Sequence, residues 1–182
     1  MHKGINTRKL TTMAIMAGVS IVLVFLIRFP IFPAVPFLEY DPADIPILIV
    51  SFAYGPLAGL IVTITAALAQ GFTVSAHSGV YGIIMHIIST GSFVFIAGII
   101  YKVKHNHLGA GVAVICGVII SAAVMIPANL LVTPLFMSVP MDVIKEMLLP
   151  IIIPFNLIKA GINGVVTFLL YKSISKLIGS HN

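Results

Sequence analysis

Charged residues are scarce in this chain. Of its 182 residues only 8% are Asp, Glu, Lys or Arg, whereas 59% are hydrophobic, and the mean hydropathy is +1.16. Because a water-soluble domain normally carries about 25% charged residues, this composition predicts an integral membrane protein. The formal charge of +5 is then attributed to the cytoplasmic flanks of membrane helices, and no nucleic-acid partner is expected.

Motifs for metal binding and catalysis are also lacking. Cys116 is the single cysteine, which excludes an intrachain disulfide and a cysteine metal cluster. His77 and His86 stand nine positions apart without the H-E-x-x-H pattern, so no metal site is expected. The sequence has neither G-x-S-x-G nor G-x-x-x-x-G-K-[ST], so we expect no hydrolase or ATPase site in this chain.

The chain instead contains a series of apolar runs. A bilayer core about 30 Å thick needs about 20 residues of helix. The runs predict an all-α fold, a single membrane domain over residues 1–182 with six transmembrane helices, the second of them short. The predicted helices are Leu10–Ile27, Ile45–Tyr54, Leu57–Phe72, Gly79–Tyr101, Ala110–Val132 and Pro150–Tyr171. A structured, proline-rich extracellular loop is predicted after the first helix, and residues 133–146 are predicted to form another loop with at most one amphipathic turn.

The distribution of charge predicts the orientation of these helices. With six crossings and the N-terminus inside, all five acids fall outside. Cytoplasmic loops carry the excess of Lys and Arg, so both termini are expected in the cytoplasm. The basic residues that this arrangement places inside are Lys3, Arg8, Lys9, Lys102, Lys104, Lys172 and Lys176.

Lys159 is the polar residue that is hardest to explain within an apolar helix. A lysine at the centre of a membrane helix costs about 2.5–3.5 kcal/mol on insertion scales. Asn156, Lys159 and Asn163 stand at i, i+3 and i+7, so they share one helix face. Asn129, near the outer end of the fifth helix, is expected at the same depth. Amides beside a cation suit a ligand with both carbonyl acceptors and N–H donors, which predicts a binding site open to the outside.

A structural role for these side chains is the alternative. The asparagines would then cap or bridge helices, and Lys159 would snorkel or pair with a carboxylate such as Asp44. The first helix leaves a similar choice open. Ala14 and Gly18 form a small-x-x-x-small pair, with Ala17 beside them, and such a pair serves either internal packing or docking of another membrane protein.

Three segments resemble the substrate-binding S components of bacterial energy-coupling factor (ECF) vitamin transporters, specifically those for riboflavin. They are residues 36–46 (PFLEYDPADIP), 52–59 (FAYGPLAG) and 154–160 (PFNLIKA). The resemblance spans nearly the whole chain in length, helix number and loop placement. It implies a multi-pass subunit of the bacterial cytoplasmic membrane that joins a transmembrane coupling protein, the T component, and two ATP-binding cassette ATPases.

The resemblance also implies roles for individual residues. Asn129, Asn156 and Lys159 would bind riboflavin, which is a transported ligand and not a cofactor. The loop after the first helix would cover it, and the predicted site takes in Leu38, Tyr40 and Asp44 of that loop. Ala14, Ala17 and Gly18 match the family's docking motif imperfectly. Whether FMN is also accepted stays open.

Riboflavin suits the predicted site on chemical grounds. Its pyrimidine edge alternates carbonyls with an N–H, its dimethylbenzene end accepts apolar walls, and its ribityl hydroxyls need polar partners. Three rivals stay open from the sequence. They are an S component for another vitamin or a nucleobase-like compound, a stand-alone facilitator or channel, and a small membrane enzyme that acts on lipid.

Overall fold

The computed structural model describes residues 7–178, with side chains through residue 170. The side chains of Lys3, Lys172 and Lys176 therefore lie outside the described part. The helices and strands are α1 (Thr7–Leu26), β1 (Phe29–Pro30), β2 (Glu39–Tyr40), α2 (Asp44–Tyr54), α3 (Pro56–Phe72), α4 (Gly79–Val103), α5 (His107–Met137), α6 (Met141–Met147) and α7 (Ile153–Ile178). A short 3₁₀ turn (Ala76–Ser78) precedes α4, and a π-helical turn (Leu148–Ile152) joins α6 to α7.

The six-helix membrane fold is confirmed. Within residues 7–178, four helical stretches are long and apolar enough to span a bilayer, and α2 and α3 are shorter apolar helices. At 11 residues, α2 is only about 16 Å long. It can be so short because it lies inside the bundle, where Asp44–Phe52 are all buried among α1, α3, α4 and α7. A helix that is apolar all round is expected in such an interior position.

The predicted loop over residues 133–146 is wrong in extent, because only residues 138–140 lie outside the helices and a short helix, α6, stands where one turn was predicted. The fifth helix continues through Pro134 to Met137 and ends at Ser138, whose φ is 55°. Residues 141–152 form α6 and the π-helical turn. An internal proline costs a helix about 3 kcal/mol in water, but it is tolerated in membrane helices because unfolding the backbone there would leave its polar groups unpaired.

The bundle has two chemically different ends. At one end the Lys9 ammonium lies 5.7 Å from the Tyr54 ring, and the rings of Tyr101 and His105 are 4.3 Å apart. The other end carries the loop after α1, in which β1 and β2 pair antiparallel. Arg8 and Lys9 at the start of α1, and Lys102 and Lys104 at the α4–α5 turn, therefore lie at the end of the bundle opposite to this loop.

The loop after α1 packs against α6, the π-helical turn and α7. Val35 and Leu38 form a buried apolar cluster with Ile144, Ile152 and Phe155 of α6, the π-helical turn and α7. A second, larger cluster fills the middle of the bundle. Burial of Val35 and Leu38 in the first cluster holds the loop in place. The loop therefore forms one wall of the site described next.

Candidate ligand-binding site

A cavity lies at the loop end of the bundle, between the loop after α1 and helices α3, α4, α5 and α7. It is open at one side and offers about 170 Å³ of space to the centres of water-sized molecules. Four of the six side chains predicted to contact ligand line it: Leu38, Asn129, Asn156 and Lys159. Tyr40 and Asp44 are not among its lining residues.

Lys159 forms an ion pair in the wall of this cavity. Its Nζ lies 2.6 Å from Oδ2 of Asp41 and 3.4 Å from the carbonyl oxygen of Glu39. Lys159 thus pairs with a carboxylate, as the structural alternative expected, but the partner is Asp41 and not the Asp44 given there as the example. Burial raises the pKa of Asp41, but the charge and hydrogen bond of Lys159, with further contributions from His86 and the Ala43 N–H, outweigh it and hold that pKa below the ordinary value.

Asn163 lies behind the cavity wall and is fully buried. Its Nδ2 donates to the carbonyl oxygen of Asp41 at 3.0 Å and to Oδ2 of Asp44 at 2.9 Å. Its Oδ1 accepts from the Tyr40 hydroxyl at 3.1 Å. Thr90 Oγ1 donates to the other Asp44 oxygen at 2.6 Å. These bonds place Tyr40 and Asp44 in a network that supports the loop from behind.

The two cavity asparagines are oriented by their own helices. Asn156 Nδ2 donates to the carbonyl oxygen of Ile152 at 2.8 Å, and Asn129 Nδ2 donates to that of Met125 at 2.8 Å. Each amide nitrogen carries a second N–H, so these bonds fix the side chains without exhausting their donors. Both asparagines are buried, which makes an unused donor or acceptor costly unless a ligand satisfies it.

A second ion pair lies in the cavity wall. Arg28 Nε is 3.2 Å from Oε2 of Glu39, and both side chains line the cavity. Arg28 also donates to the carbonyl oxygen of Val74 and, at 3.3 Å, to Ser75 Oγ. It thus links the loop after α1 to the α3–α4 connection. Nothing in the sequence alone predicted a role for Arg28.

Two further polar residues line the cavity that were not predicted to do so. Gln70 on α3 and His86 on α4 line the cavity, and among the described side chains their Nε2 atoms are buried without a hydrogen-bond partner. A polar residue inside an apolar helix was the signal available in the sequence. In the sequence, His86 invites comparison only with a metal site, and Gln70 belongs to no motif.

Aromatic rings form part of the cavity wall. Phe37 and Tyr81 each lie with their ring centroids 6.0 Å from that of Phe136, and all three line the cavity together with Phe155. Rings at this distance interact edge-on or tilted. The cavity therefore combines amides, paired charges and flat apolar surfaces, which is the set of groups that a polar heteroaromatic ligand requires.

The three small residues of α1 do not share one environment. Ala14 and Gly18 are exposed, and a Cβ added to Gly18 would meet no atom within 4 Å. Ala17 is buried in the central apolar cluster, so its inclusion in an outward docking face does not fit the structure. The outward face is formed by the Ala14–Gly18 pair.

Comparison with known proteins gives consistent matches in sequence and structure. The family described as "ECF transporter, substrate-specific component" matches residues 8–171. The riboflavin transporter RibU of Staphylococcus aureus (strain TCH60) is 29% identical over 180 residues, which cover 95% of this chain and 93% of that protein. The riboflavin transporter FmnP of Bacillus subtilis (strain 168) is 27% identical and covers 91% of each chain.

A solved structure gives the same result. It is described as the S component of a bacterial ECF transporter and superimposes with a TM-score of 0.82 at 28% sequence identity. The match covers 96% of this chain and 99% of the other. The shared fold therefore includes the loop after α1 and the helices that surround the cavity.

Proposed function

Because the chain belongs to the substrate-specific components of ECF transporters, we propose that it binds riboflavin in the cavity beside α7. It captures the vitamin from outside the bacterial cytoplasmic membrane and delivers it to the cytoplasm with energy from partner ATPases. Riboflavin is the named substrate of the relatives that align over nearly the whole chain. The cavity is the part of this chain that would carry that specificity.

One observation carries the proposal above all. Asn129, Asn156 and Lys159, which the sequence places on two different helices, line the same cavity. Their amides and ammonium complement the alternating carbonyl and N–H groups of the flavin pyrimidine edge. The rings around Phe136 offer apolar surfaces to the isoalloxazine. Gln70 and His86 also line the cavity, and they are the polar side chains that we assign to the ribityl hydroxyls.

Entry from the outside is supported by the separation of charge along the bundle. The cavity opens at the end opposite to the contacts of Lys9 with Tyr54 and of Tyr101 with His105. Positive residues near helix ends favour the cytoplasmic side. In this proposal the basic end and both termini face the cytoplasm, and the cavity faces the outside.

Partner subunits complete the transporter in this proposal. The partners are a transmembrane T component and two ATP-binding cassette ATPases, and the face of α1 that carries Ala14 and Gly18 docks the T component. Small residues on an exposed face allow another helix to approach closely in lipid. The chain itself acts as a binding subunit and not as an enzyme.

A binding titration tests the ligand. Riboflavin fluorescence should be quenched at one equivalent of the purified protein, and thiamine or pantothenate in excess should not compete. Asn156→Ala and Lys159→Ala should each weaken binding by about tenfold or more, the range expected for hydrogen bonds to charged or buried groups. The matched control is Lys145→Ala, because Lys145 pairs with Asp142 in an exposed position and should leave affinity unchanged.

Thermal unfolding separates binding from folding. The Asn156 amide donates to the carbonyl oxygen of Ile152, one turn earlier in the chain, so Asn156→Ala should unfold near the wild-type temperature. A folded wild-type protein that ignores riboflavin, or that binds thiamine equally well, would refute the proposed ligand. Equal loss of folding and binding in both variants would favour a structural role for these residues.

A further inference from the structure

The end of the bundle opposite to the cavity carries basic side chains and no acidic ones. The Asp and Glu residues of the chain are Glu39, Asp41, Asp44, Asp142 and Glu146. The first three belong to the loop after α1 and the start of α2, and the last two belong to α6, which packs against that loop. No Asp or Glu of the chain therefore neutralises the described cations at the other end, which are Arg8, Lys9, Lys102 and Lys104.

Residues 102–108, which we call the basic turn, join α4 to α5 at this end. The exposed basic side chains of the turn are Lys102, Lys104, His105 and His107. Beside them Val103 is 84% exposed and Leu108 is 64% exposed. With 25 residues, α4 is about 37 Å long, longer than a hydrocarbon core of about 30 Å. The basic turn therefore lies at the level of the lipid headgroups.

The conformation of the basic turn is fixed by its own contacts. Asn106 Oδ1 accepts a hydrogen bond from the Gly109 N–H at 2.7 Å, and a Cβ added to Gly109 would collide with the Lys104 carbonyl oxygen. The His105 ring lies 4.3 Å from the ring of Tyr101, which is buried. Because the backbone beneath the lysines is held in this way, an anion that binds them orders little of the chain.

We propose that the basic turn binds the headgroup phosphate of an anionic phospholipid in the cytoplasmic leaflet, through Lys102 and Lys104. The inference takes its orientation from the proposed function but does not depend on the ligand of the cavity. Exposed Val103 and Leu108 favour a lipid over a soluble acidic partner, because they can contact acyl chains while the lysines extend to the headgroups. A lysine near a negatively charged membrane surface strengthens binding by about fivefold.

The experiment compares phosphatidylglycerol with phosphatidylcholine of the same acyl chains. Native mass spectrometry of the purified full chain counts the bound lipids and gives the ratio of the two dissociation constants. The wild type should favour phosphatidylglycerol by about 25-fold, which is about fivefold for each of two lysines, and the preference should fall as salt is added. Lys102→Gln and Lys104→Gln should each lower the preference by about fivefold.

Lys145→Gln is the matched control, because Lys145 is an exposed lysine at the loop end, paired with Asp142. It removes the same charge and should leave the lipid preference unchanged. Riboflavin affinity, measured on the same samples, reports whether each variant is folded, since the basic turn lies at the end opposite to the cavity.

Several results would overturn this inference. They are equal binding of the two lipids by the wild type, an unchanged preference in both turn variants, and an equal loss of preference in Lys145→Gln. Displacement of phosphatidylglycerol by millimolar inorganic phosphate would show a site for free anions. A phosphatidylglycerol effect that appears only with the T component and ATPases present would assign the turn to a protein partner. A chain that shows the expected lipid preference but ignores riboflavin would refute the proposed function alone.

Discussion

At the scale of single residues, the site depends on polar groups that are satisfied inside an apolar bundle. Asp44 accepts hydrogen bonds from Thr90 and Asn163, and Asn163 also holds the loop through Tyr40 and the Asp41 backbone. A buried carboxylate is costly unless it is bonded in this way. These residues therefore position the loop, whereas Asn129, Asn156 and Lys159 face the cavity.

The Lys159–Asp41 pair should make the unfolding temperature depend on pH in the acid range. The pKa of Asp41 is held below its ordinary value, because the interactions with Lys159 outweigh the effect of burial. A group with a lowered folded-state pKa contributes stability above its unfolded pKa, and this contribution is lost as the pH falls through the folded pKa. The contribution should therefore be constant at neutral pH and be lost only in strong acid.

The measurement is the unfolding temperature in detergent between about pH 7 and pH 3, for the wild type and Asp41→Asn. The variant should be less stable at neutral pH, because Lys159 loses its charged partner, and the two curves should converge in acid. Curves that stay parallel over the whole range would show that ionisation of Asp41 does not stabilise the fold.

The sequence predicted the residues of the site better than their partners. The spacing of Asn156, Lys159 and Asn163 is enough to place them on one face, because helix geometry is regular. The choice between Asp41 and Asp44 depends on how a loop with two short strands folds back over α7, and local spacing does not determine that. Gln70 and His86 were not predicted to line the cavity, because single polar residues in an apolar helix have several possible roles.

At the scale of helices, close packing explains several glycines of the central bundle. A Cβ added to Gly98 on α4 would lie 2.3 Å from Ser51 Oγ and 3.0 Å from Pro56 Cα. Ser51 Oγ in turn donates to the carbonyl oxygen of Val94 at 2.7 Å. The α2–α3 turn therefore sits directly against α4, and Gly55 between α2 and α3 has a φ of 92°, which glycine adopts readily.

Gly98→Ala should destabilise the protein by about 1–3 kcal/mol, the usual cost of overpacking. The matched control is Gly111→Ala on α5, where the added Cβ would meet the Phe168 ring at an ordinary 3.6 Å. That control should be as stable as the wild type or more stable, because alanine favours helix. The measurement compares the unfolding temperatures of Gly98→Ala and Gly111→Ala. Equal temperatures would contradict close packing at Gly98.

Helix boundaries were predicted well only where the chain changes composition sharply. Gly55 and Pro56 separate α2 from α3 as expected, since proline suits the first position of a helix. Pro134 misled the prediction because a proline-containing stretch looks like a loop in water. In a bilayer the backbone stays helical, so α5 reaches 31 residues, or about 46 Å, and extends beyond the hydrocarbon core.

At the scale of the whole molecule, the proposed ligand cavity and the proposed docking face are different surfaces. The cavity opens at the loop end, whereas Ala14 and Gly18 lie on the outer side of α1. Gly18→Leu should therefore leave riboflavin affinity unchanged and reduce riboflavin uptake by cells that also make the T component and ATPases. Bulk on an outward small-residue face prevents close approach of a second helix.

Gly161→Leu provides the control for that prediction. A Cβ at Gly161 on α7 also meets no atom within 4 Å, so both substitutions add the same bulk to open helix surface. Uptake should fall for Gly18→Leu and not for Gly161→Leu. Normal uptake by Gly18→Leu would exclude this face of α1 as the docking surface.

The most direct measurement is an experimental structure of the chain saturated with riboflavin. The proposed function predicts the isoalloxazine in the cavity, with its pyrimidine edge within hydrogen-bonding distance of Asn129, Asn156 and Lys159 and with the loop after α1 across it. A folded protein whose cavity stays empty at saturating riboflavin, or whose flavin lies at another surface, would contradict that prediction.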